Sequence, residues 1–386
     1  MKPAYLETAE RIGGRLCRDA LWSEGRCNWT ADRLEGTDTA HGSLGPSLYS
    51  GTAGIALFLW RLGAATGERI FRVTAEAALR QALSKPITSN PGFYTGAPGV
   101  LFAASMLGRE IADDQAVGAA RPDPRMLDLL SGSAGAIAAL LHFVSLGSGI
   151  RLLETAVQHG DLLLAEASRG ESGWSWTSLR GTRNLTGFSH GTAGIAWALL
   201  ELWQVTREER FREAALEAFR YERACFDPER QAWPDFREDP AHYPALWCHG
   251  AVGIGFSRLR AWQILGDADC LAEVRVALAR ATDPAFATAN DSLCHGRSGT
   301  GDFLLYASEV LGEERWLAPA EASAREGIEL FERRRVPWPC GLPRTHETPD
   351  LMLGLAGIGY HYLRLADPQR TPTLLLPAVG RGALIV

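Results

Sequence analysis

The 386-residue chain is 46% hydrophobic and 22% charged, an ordinary globular composition with ample material for a large core. A net charge of -6 argues against nonspecific nucleic-acid binding, which needs a basic face. Seven scattered cysteines, and a start without the apolar run of a signal peptide, indicate a reducing, cytoplasmic protein with free thiols rather than a disulfide scaffold.

Residues 1–28 read as a helix followed by a turn, because Leu6, Ile12, Leu16 and Ala20 recur at helical spacing. A polar, Gly-rich link then runs through Gly45. From Leu48 onward a Gly-x-x-Gly turn repeats, at Gly51/Gly54, Gly96/Gly99, Gly132/Gly135, Gly191/Gly194, Gly250/Gly253, Gly296/Gly299 and Gly354/Gly357. The interval of roughly 35–60 residues is that of helical-pair repeats. Each turn leads into a segment rich in Ala and Leu: 55–62, 100–107, 136–144, 195–202, 254–265, 303–311 and 358–365. These are apolar on most sides, as expected of helices buried all round.

Between them lie more charged segments with a one-sided apolar stripe, for example 71–83, 151–167, 208–225, 270–279 and 318–334. They read as amphipathic outer helices. No alternating strand pattern competes. The most apolar run, 132–150, carries His142 and several glycines, and reads as a buried helix rather than a membrane span. The expectation is an all-α ring of about seven inner and seven outer helices in one domain, residues 1–386. Every inner-helix N-terminus would point to the same end and favour anions there. Tight packing is the simpler reason for most of the glycines. The Pro-rich tail, 367–386, is expected to be irregular.

Three turns carry chemistry: Phe188-Ser189-His190-Gly191, Trp247-Cys248-His249-Gly250 and Leu293-Cys294-His295-Gly296. Thiolate and imidazole are preferred zinc ligands, and three protein ligands leave an open fourth position, the catalytic pattern. Cys248, Cys294 and His295 are therefore the leading metal set, against a reading as buried thiols. Cys340 is a rival ligand but precedes no Gly-x-x-Gly turn, so a structural thiol is expected there. Cys17, Cys27, Cys225 and Cys270 have no His partner and are expected in the core or flanking helices. His190 holds the equivalent slot without a Cys, which suits a general acid or base; a solvated loop histidine is the plainer alternative. Asp128 precedes another turn and is either the orienting carboxylate for that imidazole or a helix-start carboxylate. His249 is a candidate for substrate contact or for packing behind it. Asp302 is read as a first-turn helix residue.

Together these three turns, with Gly45-Pro46-Ser47-Leu48-Tyr49-Ser50-Gly51 and Gly354-Leu355-Ala356-Gly357-Ile358-Gly359, resemble lanthionine synthetase C-like cyclases over nearly the whole chain. The wording most resembles the C-terminal cyclase domain of class II lanthipeptide synthetases. The resemblance implies an α,α-toroid with one zinc on Cys248, Cys294 and His295, and a catalytic pair of His190 and Asp128. His249 stands where nisin-type stand-alone cyclases have Tyr. No dehydration domain is seen, nor the insertion of some stand-alone cyclases.

The implied activity is addition of a peptide Cys thiolate to dehydroalanine or dehydrobutyrine, giving a lanthionine or methyllanthionine ring. The partners expected are a dehydrated precursor peptide, a separate dehydratase and an export complex joined peripherally. Two alternatives stay open: intermolecular addition of glutathione to dehydroamino acids, and a non-catalytic zinc-stabilised scaffold for a dehydratase or transporter. A toroidal glycosidase would use the 12 Trp as a sugar groove, but no carboxylate pair supports it.

Overall fold

The apolar segments that follow the glycine turns are helices, and so are the amphipathic segments between them. The structure, a computed structural model, describes residues 2–35, 38–85, 90–147, 149–178, 183–342 and 347–377. Among them, fourteen α-helices run in chain order: α1 (Pro3–Asp19), α2 (Thr52–Thr66), α3 (Arg69–Leu83), α4 (Ala97–Met106), α5 (Asp113–Ala119), α6 (Ser133–Ser145), α7 (Ile150–Ala165), α8 (Thr192–Thr206), α9 (Glu209–Cys225), α10 (Ala251–Leu265), α11 (Ala268–Thr282), α12 (Arg297–Leu311), α13 (Leu317–Gly327) and α14 (Leu355–Ala366). The even members follow the seven glycine turns, except that the turn-derived α4 is the shortest of them. In α8 every residue from Thr192 to Leu202 is buried. By contrast, α9 buries only one stripe, including Phe211, Ala214, Ala215, Ala218 and Phe219, at the spacing of one helix face. The 132–150 run contains α6, buried as expected. Among the described residues no helix is long and apolar enough to cross a membrane. Of the tail, 378–386 lies outside the described residues.

The expectation of a turn and a link before Gly45 is corrected. Two antiparallel hairpins lie there, β1 (Leu21–Ser23) with β2 (Arg26–Asn28) and β3 (Thr30–Glu35) with β4 (Asp38–Ser43). A third joins β5 (Ser168–Gly170) to β6 (Gly173–Ser175). Glu24 and Gly25 both have positive φ, 48° and 71°, the conformation that a two-residue hairpin turn demands. Three-residue strands are too short to show alternation in a sequence.

The chain divides into two compact units. One comprises Met1–Pro86, Ala103–Glu110 and Ala287–Leu375. The other comprises Ile87–Phe102, Ile111–Phe286 and Leu376–Val386. In the first, α14 packs against α2 and α12, and these carry α3 and α13 as outer partners. The outer partner of α14 is the N-terminal helix α1, and Lys2 N donates to Ala366 O at 3.1 Å. In the second unit α8 lies between α6 and α10, and α7, α9 and α11 cover the three.

Buried ion pairs cross-link these helices. Arg260 of α10 meets Glu201 of α8 at 2.5 and 3.1 Å, and Arg258 meets Glu222 of α9 at 2.7 Å. Asp302 belongs to this class, not to a helix first turn. It sits in the second turn of α12, buried against Arg364 of α14, and also accepts from the Thr373 hydroxyl. Breaking one side of such a pair strands the other charge in the core. Asp302→Ala is expected to destabilise the protein by about 3–5 kcal/mol, read from the denaturant midpoint.

The glycine turns are close-packed, as the simpler reading had it. A Cβ at Gly194 would lie 2.0 Å from Phe188 O, at Gly253 2.0 Å from Trp247 O, and at Gly299 2.1 Å from Leu293 O. No side chain fits where the backbone turns back on itself so tightly. The residue two before the first glycine joins neighbouring loops. In the second unit Leu130 N donates to Ser189 O at 3.1 Å and Ser189 N to Cys248 O at 3.0 Å. In the first, Cys294 N donates to Met352 O and Met352 N to Tyr49 O, both at 2.9 Å.

Candidate active site

In the second unit these laddered loops bring Asp128 and His190 together, though 62 residues separate them. His190 Nδ1 and Asp128 Oδ2 are 2.7 Å apart, so the ring donates from Nδ1 and its other nitrogen, Nε2, is left for chemistry. Asp128 Oδ1 accepts from Ser131 N at 2.7 Å, so this carboxylate both closes its own turn and orients the imidazole. Burial works against the charged form of His190, but the hydrogen bond to Asp128 and its negative charge outweigh that and raise the histidine above its ordinary value. The side chain of His190 is 23% exposed and that of Asp128 9%, so the histidine is the reachable member.

A second buried chain fixes the backbone ahead of His190. Gly187, with φ of 96°, donates its N–H to Glu222 Oε1 at 3.0 Å, and Glu222 in turn is held by Arg258. His249 lies behind His190, the rings 5.9 Å apart and 28° from parallel. It is 1% exposed, and burial drives it down to about 4, so it is neutral at pH 7. Its Nδ1 lies 3.9 Å from Asp235 Oδ1, too far for a hydrogen bond, and has no hydrogen-bond partner among the described residues.

Asp235 and Arg237 were not singled out in the sequence. Arg237 grips Asp235 with Nη2–Oδ2 at 2.6 Å and Nε–Oδ1 at 3.0 Å. Burial alone would raise the Asp235 carboxyl, but Arg237 and His249 hold it below its usual range. The pair sits in irregular chain between α9 and α10, where an Asp-x-Arg carries no periodic signal.

In the first unit, His295 Nε2 donates to Gly341 O at 2.8 Å, which leaves Nδ1 as the nitrogen that could meet a metal. The Cys294 sulfur accepts from the Tyr49 hydroxyl at 3.0 Å. Cys340 is tied elsewhere: Thr348 N donates to its sulfur at 3.4 Å, and burial pushes the thiol up to about 12, as suits a structural cysteine. Of the expected metal ligands, Cys294 and His295 lie in the first unit and Cys248 in the second. Two soft sulfurs and an imidazole fixed through its second nitrogen fit a borderline-soft divalent metal and not Mg²⁺ or Ca²⁺. Cys17, Cys27, Cys225 and Cys270 are also free thiols. Burial pushes Cys27 and Cys270 up to about 12, and Cys27 donates to Thr74 O.

The family model described as lanthionine synthetase C-like protein matches residues 42–376. A curated relative is the lacticin 481/lactococcin biosynthesis protein of Lactococcus lactis subsp. lactis, 26% identical over 207 residues. That match spans 51% of this chain but only 22% of the relative's length. Among solved structures, nisin cyclase is 16% identical with a TM-score of 0.64, over 83% of this chain and 89% of that one. A GH76 α-mannanase of Bacteroides thetaiotaomicron is 12% identical with a TM-score of 0.54, over 95% and 96%. At these identities the structural likeness shows the fold, an all-α, α,α-toroid, as the glycine-turn repeat led one to expect.

Proposed function

This chain belongs to the lanthionine synthetase C-like family, and from that premise we propose that it is a zinc-dependent peptide cyclase forming lanthionine and methyllanthionine rings. Its substrate would be a precursor peptide already dehydrated at Ser or Thr by a dehydratase, with an export complex as a peripheral partner. The whole chain would work as one cyclase domain.

Cys248, Cys294 and His295 would hold the zinc. When bound, zinc supplies a Lewis acid that lowers the pKa of a substrate thiol and keeps it nucleophilic at neutral pH. Asp128 fixes the tautomer of His190 and stabilises its charged form, so that Nε2 carries a transferable proton. Neutral His249 supports that ring from behind without competing for the proton. Glu222, through Gly187 N, holds the loop that presents it. When the peptide sulfur adds to the β-carbon of the dehydroamino acid, a C–S bond forms and the C=C π bond breaks. The electron pair moves to the α-carbon as an enolate, and His190 delivers the proton there. The thiol proton is thus replaced by one on carbon, and the peptide keeps its mass.

The observation that carries this reading is the 2.7 Å Asp128–His190 pair with its raised histidine. A scaffold has no use for a reachable acid held ready in this way. The test is to incubate the protein with a dehydrated, Cys-containing peptide and an excess of glutathione. Free peptide thiol is expected to disappear at constant mass. A glutathione adduct on a Cys-free dehydrated peptide would favour intermolecular addition, and no reaction on either peptide would favour the scaffold.

A further inference from the structure

Tyr49 lies two residues before Gly51, in the register that Ser189, Cys248, Cys294 and Met352 occupy before their own turns. The backbone ladder of the first unit runs from Cys294 through Met352 to Tyr49, each step a hydrogen bond of 2.9 Å. The Tyr49 side chain therefore reaches past the Met352 loop, and its hydroxyl lands 3.0 Å from the Cys294 sulfur. Ser189, at the same register in the second unit, shows what a short hydroxyl does there: it donates to the Cys248 backbone carbonyl at 3.1 Å. Only the longer phenol reaches a neighbouring side chain.

Cys294 is buried and Tyr49 half-buried, so water competes poorly for the contact. A donor aimed at a thiolate stabilises the anion and draws charge off the sulfur. We propose that Tyr49 is a positioning residue that donates a hydrogen bond to Cys294 in its metal-bound thiolate form and limits the charge this sulfur passes to the metal. The inference rests on the zinc reading above. With less charge from Cys294, the metal is left more electrophilic toward the substrate thiol.

The experiment uses the full chain loaded with Co²⁺ in place of zinc, whose thiolate-to-cobalt charge-transfer band reports sulfur donation directly. In Tyr49→Phe the sulfur lone pair rises in energy, and the band is expected to move to longer wavelength. Zinc affinity by chelator competition should fall by about 10-fold, the low end for loss of an outer-shell partner. Ser189→Ala, which loses only a bond to a backbone carbonyl, should leave the band in place. An unmoved band with unchanged affinity in Tyr49→Phe overturns the proposal. A band that moves equally in Ser189→Ala also overturns it, since the shift would then report loop movement. Failure of the parent protein to take up cobalt or zinc would instead overturn the metal reading beneath it.

Discussion

His190→Asn is expected to slow ring closure by about 10²–10⁴-fold, the usual worth of a positioned acid or base, while metal content stays at the parent level. The asparagine keeps the size and a hydrogen-bond donor for Asp128 but has no proton to give at neutral pH. Bulk water would then protonate the enolate, and product stereochemistry at the new α-carbon is expected to become mixed. The pH profile carries the sign of the shift. Because Asp128 raises His190, the charged acid persists above the ordinary histidine range, and the rate it supports falls only as pH passes that raised value. Asp128→Asn removes the charge and is expected to move this alkaline limb to lower pH. By the same linkage, the pair's contribution to stability is fully present below the unfolded histidine's pKa and lost as pH rises through the folded one. Lost zinc in His190→Asn would make it a ligand, and full activity with full zinc would reduce it to a loop residue.

Cys294→Ala is expected to take zinc from one per chain to near zero while helical circular dichroism is unchanged. The cores of both units are built without the metal, from residues such as Leu59, Ile358 and Leu363 in one and Trp197, Phe219 and Leu259 in the other, all fully buried. That is far more apolar burial than a single ligand cluster supplies. Zinc-binding modules that cannot bury such a core unfold without metal. Global unfolding of Cys294→Ala, or of the parent on chelation, would therefore mark the site as structural. Activity should fall with the zinc, measured as peptide thiol remaining after incubation with the dehydrated substrate.

The helices were legible because two independent signals coincide: a Gly-x-x-Gly turn, and a following segment apolar on most sides. The second glycine is demanded by a carbonyl oxygen that would lie about 2 Å from any Cβ, a constraint that sequence records as an invariant pattern within one chain. His190 and the Cys-His turns stood out because they vary against that constant background. Asp128 could be read either way: it meets the imidazole of His190, and instead of starting a helix it closes the turn ahead of α6, whose N-cap is Gly132. What escaped was mostly chemistry made across long separations by residues common anywhere. Tyr49 reaches Cys294 across 245 residues, and Glu222 reaches Gly187 from the middle of an amphipathic stripe where a charged residue looks solvated. Asp302 was misread for the same reason, since its partner Arg364 lies 62 residues on. The short α5 and the three-residue strands have too few residues for any period to emerge.

The most direct measurement is the number of sulfur atoms around the metal, by X-ray absorption on the zinc-loaded chain, before and after a dehydrated peptide with one free Cys is added to the slow His190→Asn variant. Two sulfurs are expected before, from Cys248 and Cys294, with the histidine nitrogen and one light-atom ligand completing the tetrahedron. Three are expected after, once the peptide thiolate takes the open position. A count that stays at two with peptide bound and slowly consumed would contradict metal activation of the substrate thiol.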